Sequence, residues 1–354
     1  MTTPSATPAP SAAALGALLD AAMIEALGVL DGPASLLPGM ARYHLGFADE
    51  RLQAMTPTDA IRGKRMRPMI AMLAAAAAGG DPGRAAPLAA GIELLHNFTL
   101  MHDDIQDHSP TRRHRPTLWT LWGVGQAINV GDAVFAASQL ALFQSIARGC
   151  SPELTLRLSQ AFQGMTIEIV QGQVLDLGFE GRDDVTVDAY VEMIGLKTSA
   201  IVRYAAWAGA LVGGADDARA ARFGAFGWAL GLGFQVRDDV LGIWGAADVT
   251  GKAAADDIRR RKQSLPILLL RERATAAERQ RLDALYAQPQ IDEAGVAEVL
   301  ALLDRHAVRD AVEARVAQYH DDARAALDAA AVAGANPARD ALAELVENLA
   351  MRQH

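Results

Sequence analysis

Asp103 and Asp107 stand four residues apart at the end of the run Leu94-Leu95-His96-Asn97-Phe98-Thr99-Leu100-Met101-His102-Asp103-Asp104-Ile105-Gln106-Asp107. On a helix, residues i and i+4 share a face, so two carboxylates point the same way and repel. Aspartate is also a poor helix former. Such a helix is easier to keep with a cation between the carboxylates, and an all-oxygen donor set suits Mg²⁺, which takes one or two carboxylates plus substrate phosphates. Arg112, Arg113 and Arg115 follow closely. A metal-bound carboxylate pair beside guanidinium groups is what a diphosphate requires. The bland alternative is a solvated acidic helix end followed by a basic loop, but the mostly apolar residues before it argue for a buried helix. The theme returns at Gly231-Leu232-Gly233-Phe234-Gln235-Val236-Arg237-Asp238-Asp239, except that the residue four after Asp238 is Gly242. Facing helices with two such aspartate pairs would gather negative charge around one cavity, to be neutralised by cations and a polyphosphate.

Several cationic groups could hold the phosphates. Gly63-Lys64-Arg65-Met66-Arg67-Pro68 precedes an apolar helix, and glycine lets backbone approach a ligand closely. It lacks the Walker-A pattern, which excludes a nucleotide P-loop. Lys197-Thr198, Lys252 after Gly251, and Lys262 after Arg259-Arg260-Arg261 are further candidates, with plain surface charge the better reading of the three arginines. Glu93-x-x-His96 matches half of a di-iron bundle site, but no other glutamate has a histidine three residues later. A helical glutamate and a histidine reaching a phosphate is the simpler account. No serine lies in Gly-x-Ser-x-Gly and Cys150 has no activating neighbours in sequence, so nucleophilic catalysis is unsupported.

These groups must be positioned by helices. Apolar residues recur at three- and four-residue spacing almost throughout, Ala and Leu abound, and β-branched runs are rare. The reading is all-α, with ten to thirteen helices and no strand pair. Ser151-Pro152-Glu153 starts a helix running to about Leu177, since serine caps well and proline suits the first helical position. Gly178 and Gly181 open a turn, and Gly213-Gly214 closes a later helix. No linker divides the chain, so residues 12–354 are expected to form one helical bundle with its site between facing helices. Residues 1–11, rich in Pro, Ala, Ser and Thr, read as a disordered tail. A formal net charge of −9 argues against a nucleic-acid binder, and one cysteine excludes a disulfide framework and points to the cytosol. No secretory signal and no membrane-spanning segment is expected.

Together these residues resemble the trans-isoprenyl diphosphate synthase (polyprenyl synthetase) family. The likeness runs, in the family's order, through Gly63–Arg65, His96, Asp103–Asp107, Arg112-Arg113, Gly172-Gln173 with Asp176, Lys197-Thr198, Phe234-Gln235 with Asp238-Asp239, Gly251-Lys252 and Lys262. Met40–Gly46, Arg112–Trp119 and Val240–Gly245 are also similar to a bacterial subgroup, some of whose members are encapsulin cargo. The resemblance implies an all-α isoprenoid synthase bundle, a homodimer, three Mg²⁺ ions and two substrates, isopentenyl diphosphate and an allylic diphosphate. It would make Asp103, Asp107 and Asp238 metal ligands. Arg112, Lys197 and Lys262 would contact the allylic diphosphate, and Lys64, Arg65, His96 and Arg113 would hold isopentenyl diphosphate. Asp104, Asp239 and Gln235 join the catalytic set, and Thr198, Gln235 and Lys252 the substrate-binding set. The tail is a candidate link to an encapsulin shell, which would place the protein in a nanocompartment within the cytoplasm.

Departures from the family pattern are Gly242 for the last aspartate of the second motif, His114 for the glycine after the arginine pair, and Arg62 for the first glycine of Gly-Gly-Lys-Arg. Phe98, five positions before Asp103, lies about one and a half turns below it, where a ring would floor the cavity and favour a C15–C20 product, geranylgeranyl diphosphate first. Two other readings stay open. A class I terpene cyclase would leave the isopentenyl residues idle, and a non-catalytic or shell-recruited subunit would keep only the fold.

Overall fold

The computed structural model describes residues 11–56, 63–245, 255–331 and 335–350. Among them are sixteen α-helices, so the expected all-α class holds. In chain order these begin α1 (Ala12–Leu27), α2 (Leu36–His44), α3 (Met66–Ala78), α4 (Ala86–Gln106), α5 (Leu118–Trp122), α6 (Val124–Phe143) and α7 (Pro152–Phe179). Next come α8 (Val187–Ile194), α9 (Ala200–Val212), α10 (Asp217–Trp244) and α11 (Asp256–Arg259). The last are α12 (Leu265–Arg273), α13 (Ala276–Tyr286), α14 (Glu293–Arg305), α15 (Val308–Ala329) and α16 (Pro337–Ala350). The count exceeds the sequence expectation because pieces as short as α5 and α11 carry too few turns to show a period. One strand pair was also missed: β1 (Thr111–Arg112) and β2 (Arg115–Pro116) form a two-residue antiparallel hairpin.

Contacts divide the chain into two compact units, interleaved in sequence. The first comprises Met1–Phe162, Ala205–Ala220 and Gly334–Arg339, and the second Gln163–Tyr204, Ala221–Ala333 and Asp340–His354. In the first unit α4 is the central helix, buried almost without interruption from Ala86 to Leu95, and it packs against α1, α3 and α6. The Ala12–Leu30 stretch is long and apolar enough to cross a membrane by composition alone. Its buried face, Leu15, Leu19, Ala22, Met23, Ala26 and Leu27, instead serves this core. In the second unit the end of α10 packs with α8 and α12 to α15 through Val236, Val240, Leu265, Ile267, Val299 and Val312.

Local signals explain several boundaries. Ser151 Oγ accepts the Leu154 N–H at 3.1 Å at the start of α7, as the Ser-Pro-Glu pattern predicts. That helix runs through Gly178 to Phe179, and the left-handed turn falls on Gly181 alone (φ 72°). Lys197-Thr198 sits within a π-helical segment, Gly195–Ser199, between α8 and α9. Such one-turn insertions into helices occur frequently at functional sites.

Candidate active site

In the first unit the acidic motif closes α4. Asp103 and Asp104 lie in its last turn and Asp107 is its C-cap, donating its N–H to the Asp103 carbonyl at 2.8 Å. Three carboxylates therefore crowd the negative end of a helix dipole, where anions are disfavoured. Their fates differ. Asp104 turns inward and is almost fully buried; Arg112 Nε and Nη2 both approach its Oδ1 at 2.8 Å. Burial raises its pKa to about 6, Arg112 works the other way, and Asp103 and Asp107 add to the rise. Asp103 is half-buried and Asp107 exposed, so these two are the carboxylates offered outward.

The arginine loop is the hairpin. Arg113 and His114 form its two-residue turn, both left-handed at φ 51° and 61°, the geometry of turns that favour Asn-Gly. His114 thus occupies a position suited to glycine, and a left-handed non-glycine residue costs about 1–2 kcal/mol. The loop is clamped from the end of α2: Tyr43 Oη donates to the Pro116 carbonyl at 2.8 Å. Arg115 donates to the Tyr43 and Ala48 carbonyls at 3.0 and 2.8 Å and stacks over the Tyr43 ring. A pocket opens here, lined by Tyr43, His44, Asp104, Arg112, Arg113 and Arg115.

Arg113 reaches back to Gly63. A Cβ added there would meet its Nη2 at 2.5 Å, so the glycine keeps room for the guanidinium. Arg65 forms an ion pair with Asp20 of α1. Arg67 Nη1 lies 3.3 Å from His96 Nε2, and burial, then Arg67 and Arg113, hold that imidazole well below its ordinary pKa. Glu93, buried, accepts from Asn97 Nδ2 at 3.0 Å; burial raises its pKa while Arg65, Arg67 and Arg113 lower it. Guanidinium groups stand beside Glu93-x-x-His96, company that suits an anion and not the iron of a di-iron site. Among the described residues no group of three or more His, Cys, Asp or Glu forms a ready metal cage. Arg67, Glu93 and His44 were not singled out as site residues by the sequence; the charged partners that shape them lie 20 (Glu93 to Arg113) to 71 (His44 to Arg115) positions away.

His44 yields a pH signature. Its Nε2 is buried without a hydrogen-bond partner, and burial, with Arg113, Arg112 and Arg115, lowers its pKa to about 3. Unfolded histidine titrates near 6.5. Below that pH the unfolded chain binds a proton the folded chain refuses, so this group's contribution falls as pH drops from 6.5 toward 3. Raised carboxylates such as Asp104 act in the opposite sense, so a difference between variants is the clean observable. Relative to His44→Gln, wild type is expected to lose up to about 1.4 kcal/mol per pH unit between pH 6 and 4. Urea unfolding at several pH values checks this, and parallel curves would rule it out.

In the second unit the second motif repeats the division of labour. Asp238 is half-buried, whereas Asp239 is buried and structural. Asp239 Oδ2 accepts from Tyr190 Oη at 2.5 Å and the Leu265 N–H at 3.2 Å, and Oδ1 accepts from Gln235 Nε2 at 3.3 Å. Burial raises its pKa to about 7; the hydrogen bonds oppose this and Asp257 adds to it. Thr198 Oγ1 donates to Gln235 Oε1 at 3.1 Å, so the π segment is tied to α10. Lys197 pairs with Asp176 of α7. Lys262 Nζ lies 3.7 Å from Asp257 Oδ1. Desolvation works against the charge on Lys262, but Asp257, Asp239 and Asp176 outweigh it and raise its pKa. The structure thus gathers Asp176, Lys197, Thr198, Gln235, Asp239 and Lys262, while Lys252 lies outside the described residues.

Outward carboxylates beside fixed guanidinium groups in the first unit, and ammonium groups held by carboxylates in the second, are the equipment of a diphosphate enzyme, and the architecture is that of the all-α isoprenoid synthases. The sequence profile of the polyprenyl synthetase family matches residues 50–303. The chain belongs to that family and is a prenyltransferase. It is 43% identical over 256 residues to a geranylgeranyl diphosphate synthase of Mycobacterium tuberculosis, covering 72% of this chain and 70% of that one. It is 35% identical over 326 residues to a short chain isoprenyl diphosphate synthase of Methanothermobacter thermautotrophicus, covering 88% and 98%. A crystal structure of a polyprenyl synthetase from Streptomyces coelicolor superposes with a TM-score of 0.83 at 34% identity, covering 95% and 97%.

Proposed function

We propose that the chain condenses isopentenyl diphosphate with an allylic diphosphate to give a C15–C20 product, geranylgeranyl diphosphate first. The observation that carries this is a second set of basic groups in the first unit, Arg113 in the pocket with Arg112 and Arg115, and Arg67 against His96, beside the acidic end of α4. A cyclase, with one substrate, has no use for it. Asp103, Asp107 and Asp238 are oxygen donors of the kind Mg²⁺ takes, and two of them stand where a helix end repels them until a cation arrives. Bound Mg²⁺ supplies charge neutralisation of the diphosphate leaving group. Arg112, Lys197 and Lys262 grip that diphosphate and stabilise the charge it gains as the allylic C–O bond ionises. Lys64, Arg65, His96 and Arg113 hold isopentenyl diphosphate so that its double bond attacks the cation; the new cation then loses a proton to the released diphosphate, which restores a double bond, and holding both reactants supplies much of the rate. Neutral His96 contributes a hydrogen bond rather than a charge. Apolar walls keep water from quenching the cation.

Phe98 packs edge-on against His102 at 4.7 Å and against Phe135 of α6 at 5.0 Å between ring centroids. We take this aromatic group as the floor that limits chain growth. The exposed stripe Leu156, Ile167, Val170, Val174 and Leu177 on α7 supports a homodimer. The test is product analysis with labelled isopentenyl diphosphate and five-, ten- and fifteen-carbon primers. Elongation to C15–C20 is expected, and longer products from Phe98→Ala. Hydrocarbon alone would mean a cyclase, and Mg²⁺-dependent diphosphate binding without turnover a non-catalytic subunit. An unchanged product distribution in Phe98→Ala would remove the ring from chain-length control.

A further inference from the structure

The helix α1 is apolar apart from two carboxylates, Asp20 and Glu25. Glu25 looks outward and pairs with Arg148, both near half exposure. Asp20 differs. It stands beside Leu19 and one turn before Met23, both fully buried, and its side chain is only 18% exposed. A carboxylate in such a place is costly unless it serves a cation. The cation is Arg65, 45 positions away and 9% exposed at its side chain. Arg65 is constrained from two further directions. Its guanidinium lies over the Phe47 ring at 5.4 Å, and its backbone is left-handed at φ 48°. A residue other than glycine keeps that backbone only where its surroundings over-determine it. Arg65 is also the N-cap of α3, so its conformation sets how that helix begins. Two residues on, Arg67 meets His96, and two residues before, Gly63 leaves room for Arg113. Arg65, Arg67 and Arg113 all act on the buried carboxyl of Glu93, which places the three guanidinium groups around one point.

We propose that Asp20 is a positioning residue for the isopentenyl diphosphate site: through Arg65 it fixes the start of α3, and with it the cationic segment that carries Lys64, Arg65 and Arg67. Three guanidinium groups around one point repel one another, and Arg113 already feels Arg65 among the charges that lower its pKa. A carboxylate that holds one of them stops the group from spreading. Asp20 takes Nη1 of Arg65, and because the guanidinium is a rigid plane with five donors, one such contact sets its orientation without using it up. A diphosphate arriving at Arg67, His96 and Arg113 then meets a segment already in place, which removes the cost of ordering it on binding. Asp20 acts through Arg65 and not on the substrate. The inference rests on the reading of this basic group as the isopentenyl diphosphate site.

The experiment compares wild type with Asp20→Asn, Asp20→Glu, Arg65→Gln, the double variant Asp20→Asn/Arg65→Gln and the control Glu25→Gln on the same helix. The readouts are KM for each substrate, binding of isopentenyl diphosphate by calorimetry, and thermal unfolding without ligand. Asp20→Asn keeps shape and removes charge; it is expected to raise the isopentenyl diphosphate KM and Kd roughly tenfold, with the primer KM unchanged. Asp20→Glu keeps the charge but pushes a methylene into a closed pair, and a rise of roughly threefold in the same two quantities is expected. In the Arg65→Gln background Asp20→Asn should add nothing, because the two side chains act as one unit. Glu25→Gln should match wild type. A purely structural Asp20 would lower the unfolding temperature and move both KM values together, which would overturn the proposal. Unchanged isopentenyl diphosphate binding in Asp20→Asn, an undiminished effect of that change in the Arg65→Gln background, or the same effect from Glu25→Gln would also overturn it. Should Asp20→Asn not fold, Asp20→Glu decides: equal changes in the two KM values, or none, would sink the proposal. Failure of wild type to elongate any primer would instead remove the functional reading, leaving the isopentenyl diphosphate titration to judge Asp20.

Discussion

Asparagine in place of Asp103 is expected to abolish useful elongation while making the ligand-free protein slightly more stable. The two effects have one cause. Asp103 shares the last turn of α4 with Asp104, and Asp107 caps it, so three acidic side chains face the negative end of the helix. The repulsion is visible at Asp104, whose pKa the other two push further up after burial has raised it. Arg112 answers Asp104, with both contacts on Oδ1. Neutralising Asp103 relieves the helix end by about 0.3–1 kcal/mol. On the proposed function the same change removes a charge that meets the metal beside the leaving group, and losses of about 10³-fold follow from deleting a single preorganised charge partner of a transition state. Steady-state turnover and unfolding scans, each with and without Mg²⁺ and pyrophosphate, measure both halves. Stabilisation by Mg²⁺ and pyrophosphate should be present in wild type and largely gone in Asp103→Asn. Turnover within tenfold of wild type, or a clear fall in ligand-free stability, would show that Asp103 is an ordinary helix residue.

What could be read from the sequence was what local periodicity dictates. The apolar run from Ala86 to Leu95 had to be a buried helix, and it carries Asp103 to a helix end because nothing in the run breaks it. Ser151-Pro152 announced α7 through cap chemistry that needs only neighbouring residues. The rest depends on distant approach. Nothing near Arg67 in sequence says that it meets His96, 29 positions away, and Tyr43 grips the hairpin 73 positions on. The hairpin was illegible because Arg113 and His114 are not the residues a left-handed turn calls for; the clamp by Tyr43 and Arg115 overrides their preference. Nor could Gly242 be understood alone. In sequence it is a departure from the acidic motif; in the structure the Asp257 carboxylate lies where its side chain would be. Local rules fail here at positions of the proposed site, as expected where strain is held by surrounding structure.

Gly172→Ala is the substitution expected to do most harm for the fewest atoms. A Cβ at 172 would lie 2.3 Å from the Lys197 nitrogen, 2.7 Å from its Cα and 2.8 Å from its Cβ. These are backbone atoms and the root of a side chain, so no flexible tip can swing away. Relief requires α7 to part from the π segment by about an ångström, since carbon contacts are comfortable only near 3.5–4.0 Å. The segment that must move holds Lys197 at its middle. Asp176, which takes the Lys197 ammonium, lies four residues after Gly172 on the same face of α7. One face thus admits the Lys197 backbone and binds its charge, so pushing the backbone out also draws the ammonium from its partner. Overpacking of this kind costs about 1–3 kcal/mol or somewhat more. A catalytic group displaced by an ångström loses about 10²-fold in rate. Gly164 on the same helix provides the control, because a Cβ there meets nothing within 4 Å. Gly164→Ala should leave turnover intact and stabilise by up to about 1 kcal/mol through helix propensity. Opposite signs of the stability change in the two variants, measured by urea unfolding beside primer-dependent kcat/KM, are the expected result. Equal effects would mean that glycine matters at 172 only for backbone freedom, and that the close approach of Lys197 to α7 is not what holds the lysine in place.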